Sequence, residues 1–116
     1  MAVYVDPAVH PFGRMIMCHL WADSLDELHG FAARLGLKRA WFQEPPKASW
    51  CHYDVGKRLR ARAIALGAIP VDGLAAVEAR ARQVGDARKL AFAARCRTVR
   101  AEPQGRLGFD LTRSTP

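Results

Sequence analysis

The feature that most constrains the fold is a pattern that occurs twice: a helical segment, a glycine stop, then a short apolar segment. It reads Leu35-Gly36-Leu37 leading to Trp41-Phe42, and Leu66-Gly67-Ala68 leading to Ile69. Helices and strands alternating in this rhythm point to an α/β fold. The first helix is bounded at both ends. Ser24-Leu25-Asp26-Glu27 reads as a capping box, with Ser24 at the N-cap and Glu27 three residues on. Leu25, Leu28, Ala32 and Leu35 follow at helical spacing, and Gly36 ends the run. A second helix is predicted over residues 56–66, with Leu59, Ala63 and Leu66 apolar and Lys57, Arg58, Arg60 and Arg62 on the wet face. Asp72 is placed to cap a third helix to about residue 83, and Asp86 a fourth over 87–97.

Between these lie the expected strands. Val3-Tyr4-Val5 is β-branched and aromatic and stops at Asp6-Pro7. Residues 14–22 form a longer apolar segment, Ala40-Trp41-Phe42 a short one, and 68–71 another, whose Pro70 argues for an edge. Pro7, Pro11 and Gly13 predict a loop. The expected architecture is α/β: a small three- or four-stranded sheet with flanking helices and a basic helical C-terminal extension. The compact core spans 1–72, the helical extension packed on it spans 73–102, and 103–116 reads as a flexible tail.

At 116 residues the chain is expected to be one domain, and its 50% hydrophobic content is enough for a core without metal or disulfide staples. No apolar run approaches the roughly 18 residues of a membrane span. The start of the chain lacks the basic and apolar regions of a signal peptide, so a cytoplasmic protein without membrane contact is expected. Cys18, Cys51 and Cys96 form no C-x-x-C pair and read as reduced thiols. Of the net charge of +7, residues 1–77 carry +2 and residues 78–116 carry +5. A basic C-terminal third attracts nucleotide or nucleic acid, and is equally consistent with a solvated arginine-rich face. Monomer and homodimer both fit, because a small sheet leaves edges to cover.

The chemistry-bearing residues fall at element ends. Asp6 closes the first strand, Asp23 the second, and His52-Tyr53-Asp54 stands between the third strand and the second helix. If the strands are parallel neighbours, these groups meet at one edge of the sheet. Asp6, Asp23, His52 and Asp54 would then be metal ligands or acid–base groups, with His19 a supporting or acid–base residue. So oxygen-rich a set suits a divalent ion, manganese or magnesium ahead of zinc. Each residue has a structural alternative. Asp6 starts a turn before Pro7, Asp23 favours a helix dipole, and Asp54 caps the second helix. His29 lies one turn beyond Leu25 and reads as packing beside the core. The Cys18-His19 and Cys51-His52 pairs are poor zinc sets, since neighbours on a strand point to opposite faces. Lys57, Arg58 and Tyr53 are candidate ligand-binding residues, the first two because a helix N-terminus favours phosphate. Trp41, Trp50 and Tyr53 are near enough in sequence to stack a base, or to be core.

The string Val5-Asp6-Pro7, the run from His19 to His29, Phe31-Ala32, Trp41-Phe42 and His52-Tyr53-Asp54-Val55 together resemble a family of small bacterial and phage proteins known only as a domain of unknown function. The resemblance covers about residues 2–72. Its pattern often has tryptophan where this chain has His10, and the cysteines do not belong to it. It implies a compact unit and no particular activity. The functional expectation is a small phosphate-handling domain, a metal-assisted hydrolase or a binder of nucleotides or nucleic-acid ends. The alternative is a non-enzymatic nucleic-acid-binding or protein-interaction module, phage-related by resemblance.

Overall fold

A computed structural model describes residues 2–101. Five strands, β1 (Val3–Val5), β2 (His10–Phe12), β3 (Met15–Ala22), β4 (Tyr53–Gly56) and β5 (Ile69–Pro70), form one mixed sheet. Four helices, α1 (Leu25–Leu35), α2 (Lys57–Ala65), α3 (Gly73–Val84) and α4 (Ala87–Ala101), flank it. The α/β class therefore holds. The expected tail, 103–116, lies outside the described residues.

β3 is the central strand. Its Leu20 pairs with both Val5 and Tyr53, and its Met17 with both His10 and Gly56. Hence β4 takes one edge of β3, while β1 and β2 share the other end to end. β1, β2 and β4 all run antiparallel to β3, and β5 extends the sheet parallel to β1. Pro70 stands on this outer strand, where no lost N–H matters.

Strand periodicity decides the two faces. Val3, Val5, Cys18, Leu20, Tyr53 and Val55 point to one side and join Leu28, Phe31 and Leu35 of α1 and Ala63 of α2 in the main core. Burial of each large side chain there contributes on the order of 1.5–3 kcal/mol. Alternate residues, Tyr4 and Trp21, point to the other side and pack with Trp50 and with Ala75, Ala76 and Ala79 of α3. α4 packs on α3, tied by Arg97 to Asp72 and Glu78. The result is helices, sheet, helices in three layers.

The helix ends follow the capping logic. Ser24 Oγ accepts the Glu27 N–H at 3.2 Å, and Gly36 takes φ +86° at the C-cap. Asp72 and Asp86 accept N–H groups of Ala75 and Lys89.

Three local readings change. Residues Arg39–Trp41 form a 3-10 turn rather than a strand, and only Gln43 makes a bridge, to His52. The Pro11 segment is a strand rather than a loop, because Pro11 lies at a sheet edge where it needs no donor. His52-Tyr53-Asp54 enters β4 rather than a loop, and Gly56 takes the N-cap of α2 in place of Asp54. No helix among the described residues is long and apolar enough to cross a membrane.

Candidate metal centre

The centre is built on the face of the sheet that α3 covers. His19 and Asp54 stand directly opposite each other in the β3–β4 register. Side chains so paired share a face with Cβ atoms about 4.5–5.5 Å apart. His52, two residues before Asp54, shares that face by the same period of two. Tyr53 between them points into the main core.

Asp6 arrives from the far edge of β3. It follows β1 at the point where the chain bulges before β2, and Pro7 biases it to extended backbone. Its carboxylate replaces the missing ladder partner. Oδ1 accepts the His19 backbone N–H at 2.7 Å and Oδ2 accepts the His19 Nδ1–H at 2.7 Å. Asp6 is 1% exposed. Burial pushes its carboxyl up, and the His19 ring and backbone donors outweigh burial to hold it below the usual range. The Asp6 carbonyl accepts Arg60 Nε–H at 2.7 Å from α2.

His52 is fastened in the same way. Its Nδ1–H donates to the Trp50 carbonyl at 3.1 Å, and its ring stacks on Trp50 at 4.6 Å between centroids. Both histidines therefore hold Nδ1 against an acceptor. In the neutral imidazole this leaves Nε2 bare. His52 Nε2 lies 3.2 Å from Asp54 Oδ1. A lone pair facing a carboxylate is repulsive unless a cation stands between them, a proton or a metal ion. Desolvation pushes the Asp54 carboxyl up, and His52, then His19 and His10, hold it below the usual range.

His19, His52 and Asp54 can each offer one ligand atom within 4.8 Å of the others. Asp6, His10 and His19 form a second group on the same criterion. His19 joins the two, its ring 5.0 Å from that of His52 and 4.4 Å from that of His10. Histidines whose second nitrogen is held by a carboxylate or carbonyl are the usual arrangement around a protein-bound metal.

A cleft of about 700 Å³ opens over the centre. Asp6, His10, His19 and His52 line its sheet side; Ala76, Val77, Arg80 and Val84 of α3 line the other. Lys89 and Asp86, at the start of α4, complete its rim.

The family model of the Protein of unknown function (DUF4031) matches residues 3–84. The chain belongs to this family. The DUF4031 match takes in the whole sheet, the five centre residues and all of α3, and stops before α4. No curated protein matches the chain, and no solved structure does.

Of the residues singled out in the sequence, the structure brings together Asp6, His19, His52 and Asp54. It does not bring Asp23. Because β1 and β3 run antiparallel, Asp23 lies at the opposite end of β1 from Asp6, where it accepts from the Ala2 N–H at 2.8 Å and the Tyr4 hydroxyl at 2.9 Å. Tyr53 is buried on the opposite face and shares a 2.9 Å hydrogen bond with His29 Nδ1, so it cannot reach a ligand in the cleft. Lys57 and Arg58 are exposed and do not line the cleft. Cys18 faces the main core, away from His19, as strand alternation requires. Trp50 is buried against His52 and offers no free face for a base; Trp41 is exposed outside the cleft.

Four residues escape the sequence reading. His10 would have needed the recognition of β2. Arg60 reads as solvated until its reach to Asp6 is seen. The Trp50 carbonyl and the α3 wall are long-range matters with no local signal.

Proposed function

We propose that the chain holds a divalent transition-metal ion between His19, His52 and Asp54 and hydrolyses a phosphate ester there. One observation carries this reading: both histidines commit Nδ1 to an acceptor, and His52 Nε2 then faces a carboxylate oxygen at 3.2 Å. Two imidazoles and one carboxylate suit zinc, iron or manganese and disfavour magnesium. Losing Asp23 from the oxygen-rich set is what moves the preference away from magnesium.

A bound ion of this kind lowers the pKa of a coordinated water and polarises a phosphoryl oxygen. Asp6 acts as a positioning residue that holds the His19 ring in one tautomer. Arg80 and Lys89, across the cleft, supply positive charge for an anionic substrate. His10, half-exposed at the cleft, is placed to exchange a proton with a leaving group.

The test is elemental analysis of untagged protein supplied with manganese, iron and zinc, followed by assays on aryl phosphate mono- and diesters. One equivalent of metal is expected in the native chain. It should be lost in the His52→Ala, Asp54→Ala double variant with the circular dichroism spectrum kept. A native chain that takes up none of the three ions overturns the reading.

A second reading rests on the exposed basic residues of α3 and α4, among them Arg80, Arg82, Arg88, Lys89, Arg95 and Arg100. A non-enzymatic nucleic-acid-binding module would contact phosphates through them without sequence preference. Its affinity would fall steeply with salt, and binding that ignores salt would sink it.

A further inference from the structure

We infer that the cleft selects a phosphate monoester with a compact apolar body of nucleoside size, and that it does so without reading the base. Two sources share this chemistry, a free mononucleotide and the terminal nucleotide of a strand. The inference rests on the metal-centre reading above and adds a substrate class to it.

The α3 wall is the first argument. Gly73, Ala76, Val77, Arg80, Ala81 and Val84 recur at three- and four-residue steps, so they form one face of the helix. All six line the cleft. Five are small or apolar and one is a guanidinium. Small side chains leave the volume open, and at about 700 Å³ the cleft is far larger than a lone phosphate needs. Clefts of 300–1,000 Å³ are the range that holds small organic ligands.

Exposure is the second argument. Val77 and Val84 on α3 and Val9 on the β1–β2 link stay 36%, 51% and 64% exposed, although they border the cleft. Single exposed apolar residues are ordinary. Three that converge from both walls on one cleft leave an apolar strip that a ligand body would cover.

Charge is the third. Among the described residues Arg80 and Lys89 make no salt bridge, and both border the cleft. The opposing groups are the carboxylates of Asp6, Asp54 and Asp86. Asp6 is already matched by His19, and Asp86 Oδ1 accepts the Lys89 backbone N–H at 3.0 Å. With a divalent ion on Asp54 the cleft favours an anion. A phosphate between the ion and Arg80 would leave its ester body on the strip of Val77 and Val84. Alanine and valine side chains offer no hydrogen bond to a base edge, so discrimination between bases has no fixed donor or acceptor on that wall.

The experiment titrates metal-loaded protein with adenosine monophosphate, uridine monophosphate, inorganic phosphate, adenosine and a 5′-phosphorylated tetranucleotide, by calorimetry. Metal content is measured on the same samples. Adenosine monophosphate should bind about tenfold or more tighter than either inorganic phosphate or adenosine, a difference of about 1.4 kcal/mol. Uridine monophosphate should match it within a few-fold. Val77→Glu and Arg80→Gln should each weaken it about tenfold, with metal content and circular dichroism unchanged. The tetranucleotide separates the two sources: equal or tighter binding identifies a strand end, and loss of binding a free nucleotide. Metal bound normally but no preference over inorganic phosphate, or no effect of the two variants, overturns this inference alone. A native chain without metal overturns the metal-centre reading and this inference with it.

Discussion

Asp6 commits both carboxylate oxygens to one residue, and that choice sets the chemistry of the whole cleft. A buried carboxylate is tolerable only when its lone pairs are matched, and His19 supplies a backbone and a ring donor to do so. Asp6→Ala leaves both donors without a partner, one of them in a buried strand. It is expected to cost about 2–3 kcal/mol, read from urea unfolding. Asp6→Asn keeps an acceptor and should cost less. Cys18 shows the opposite case, a polar atom buried with nothing to ionise it. Burial and then the Asp6 charge push its thiol up to about 12. At pH 8 the thiolate fraction is on the order of 10⁻⁴, so iodoacetamide should leave Cys18 unmodified in native protein and label it only in denaturant. Mass spectrometry of the peptide checks this, and rapid native labelling would contradict the burial.

At the scale of elements, the helices are held by their ends. Ser24→Ala removes the acceptor for the Glu27 N–H and should destabilise by about 1 kcal/mol. Gly36→Ala meets no neighbouring atom but forces a Cβ into φ +86°, which costs about 1–2 kcal/mol. Both are measurable as shifts of the urea midpoint. The α3–α4 pair is instead joined by charge. Hydrogen bonds from Arg97 hold the Asp72 and Glu78 carboxyls below their usual range. Depressed carboxyl pKa values stabilise above the unfolded pKa, and the contribution is lost as pH falls through the folded values. Arg97→Met should therefore lower the melting temperature at pH 7, with the difference from native shrinking as pH drops below about 4. High salt should shrink it too, because these groups are exposed. A difference that persists at low pH and high salt would assign Arg97 a packing role.

For the molecule as a whole, the cleft exists only while α3 stays docked over the sheet. Besides the apolar contacts of Trp21 and Trp50, Gln83 holds it. Its side chain accepts the Cys51 N–H at 2.6 Å and donates to the Cys51 carbonyl at 3.2 Å, one residue from His52. Gln83→Ala should speed amide exchange in α3 and around residues 50–52 while β1, β3 and α1 keep native protection. Hydrogen exchange read by mass spectrometry decides it; uniform acceleration would mean that α3 and the sheet open together. The DUF4031 match, which ends at the last residue of α3, is consistent with a unit that includes this wall.

What the sequence by itself determined is what neighbours in the chain decide. Caps at Ser24, Asp72 and Asp86 and the stop at Gly36 need only a few residues of context. Strand alternation alone puts His52 and Asp54 on one face and Tyr53 on the other, once β4 is recognised as a strand. That recognition fails locally, because a strand of four residues running straight into a helix looks like a loop with a cap. The direction of strands is a tertiary matter. The same two aspartates, Asp6 and Asp23, would meet in a parallel pair and are separated in the antiparallel one that forms. So is the choice of which helix lies over the polar face, which gave Arg80 a place in the cleft and left Lys57 and Arg58 outside it. Caps and periodicity act over one to four residues, whereas strand pairing and layer packing join residues dozens of positions apart, and only the closed structure brings those together.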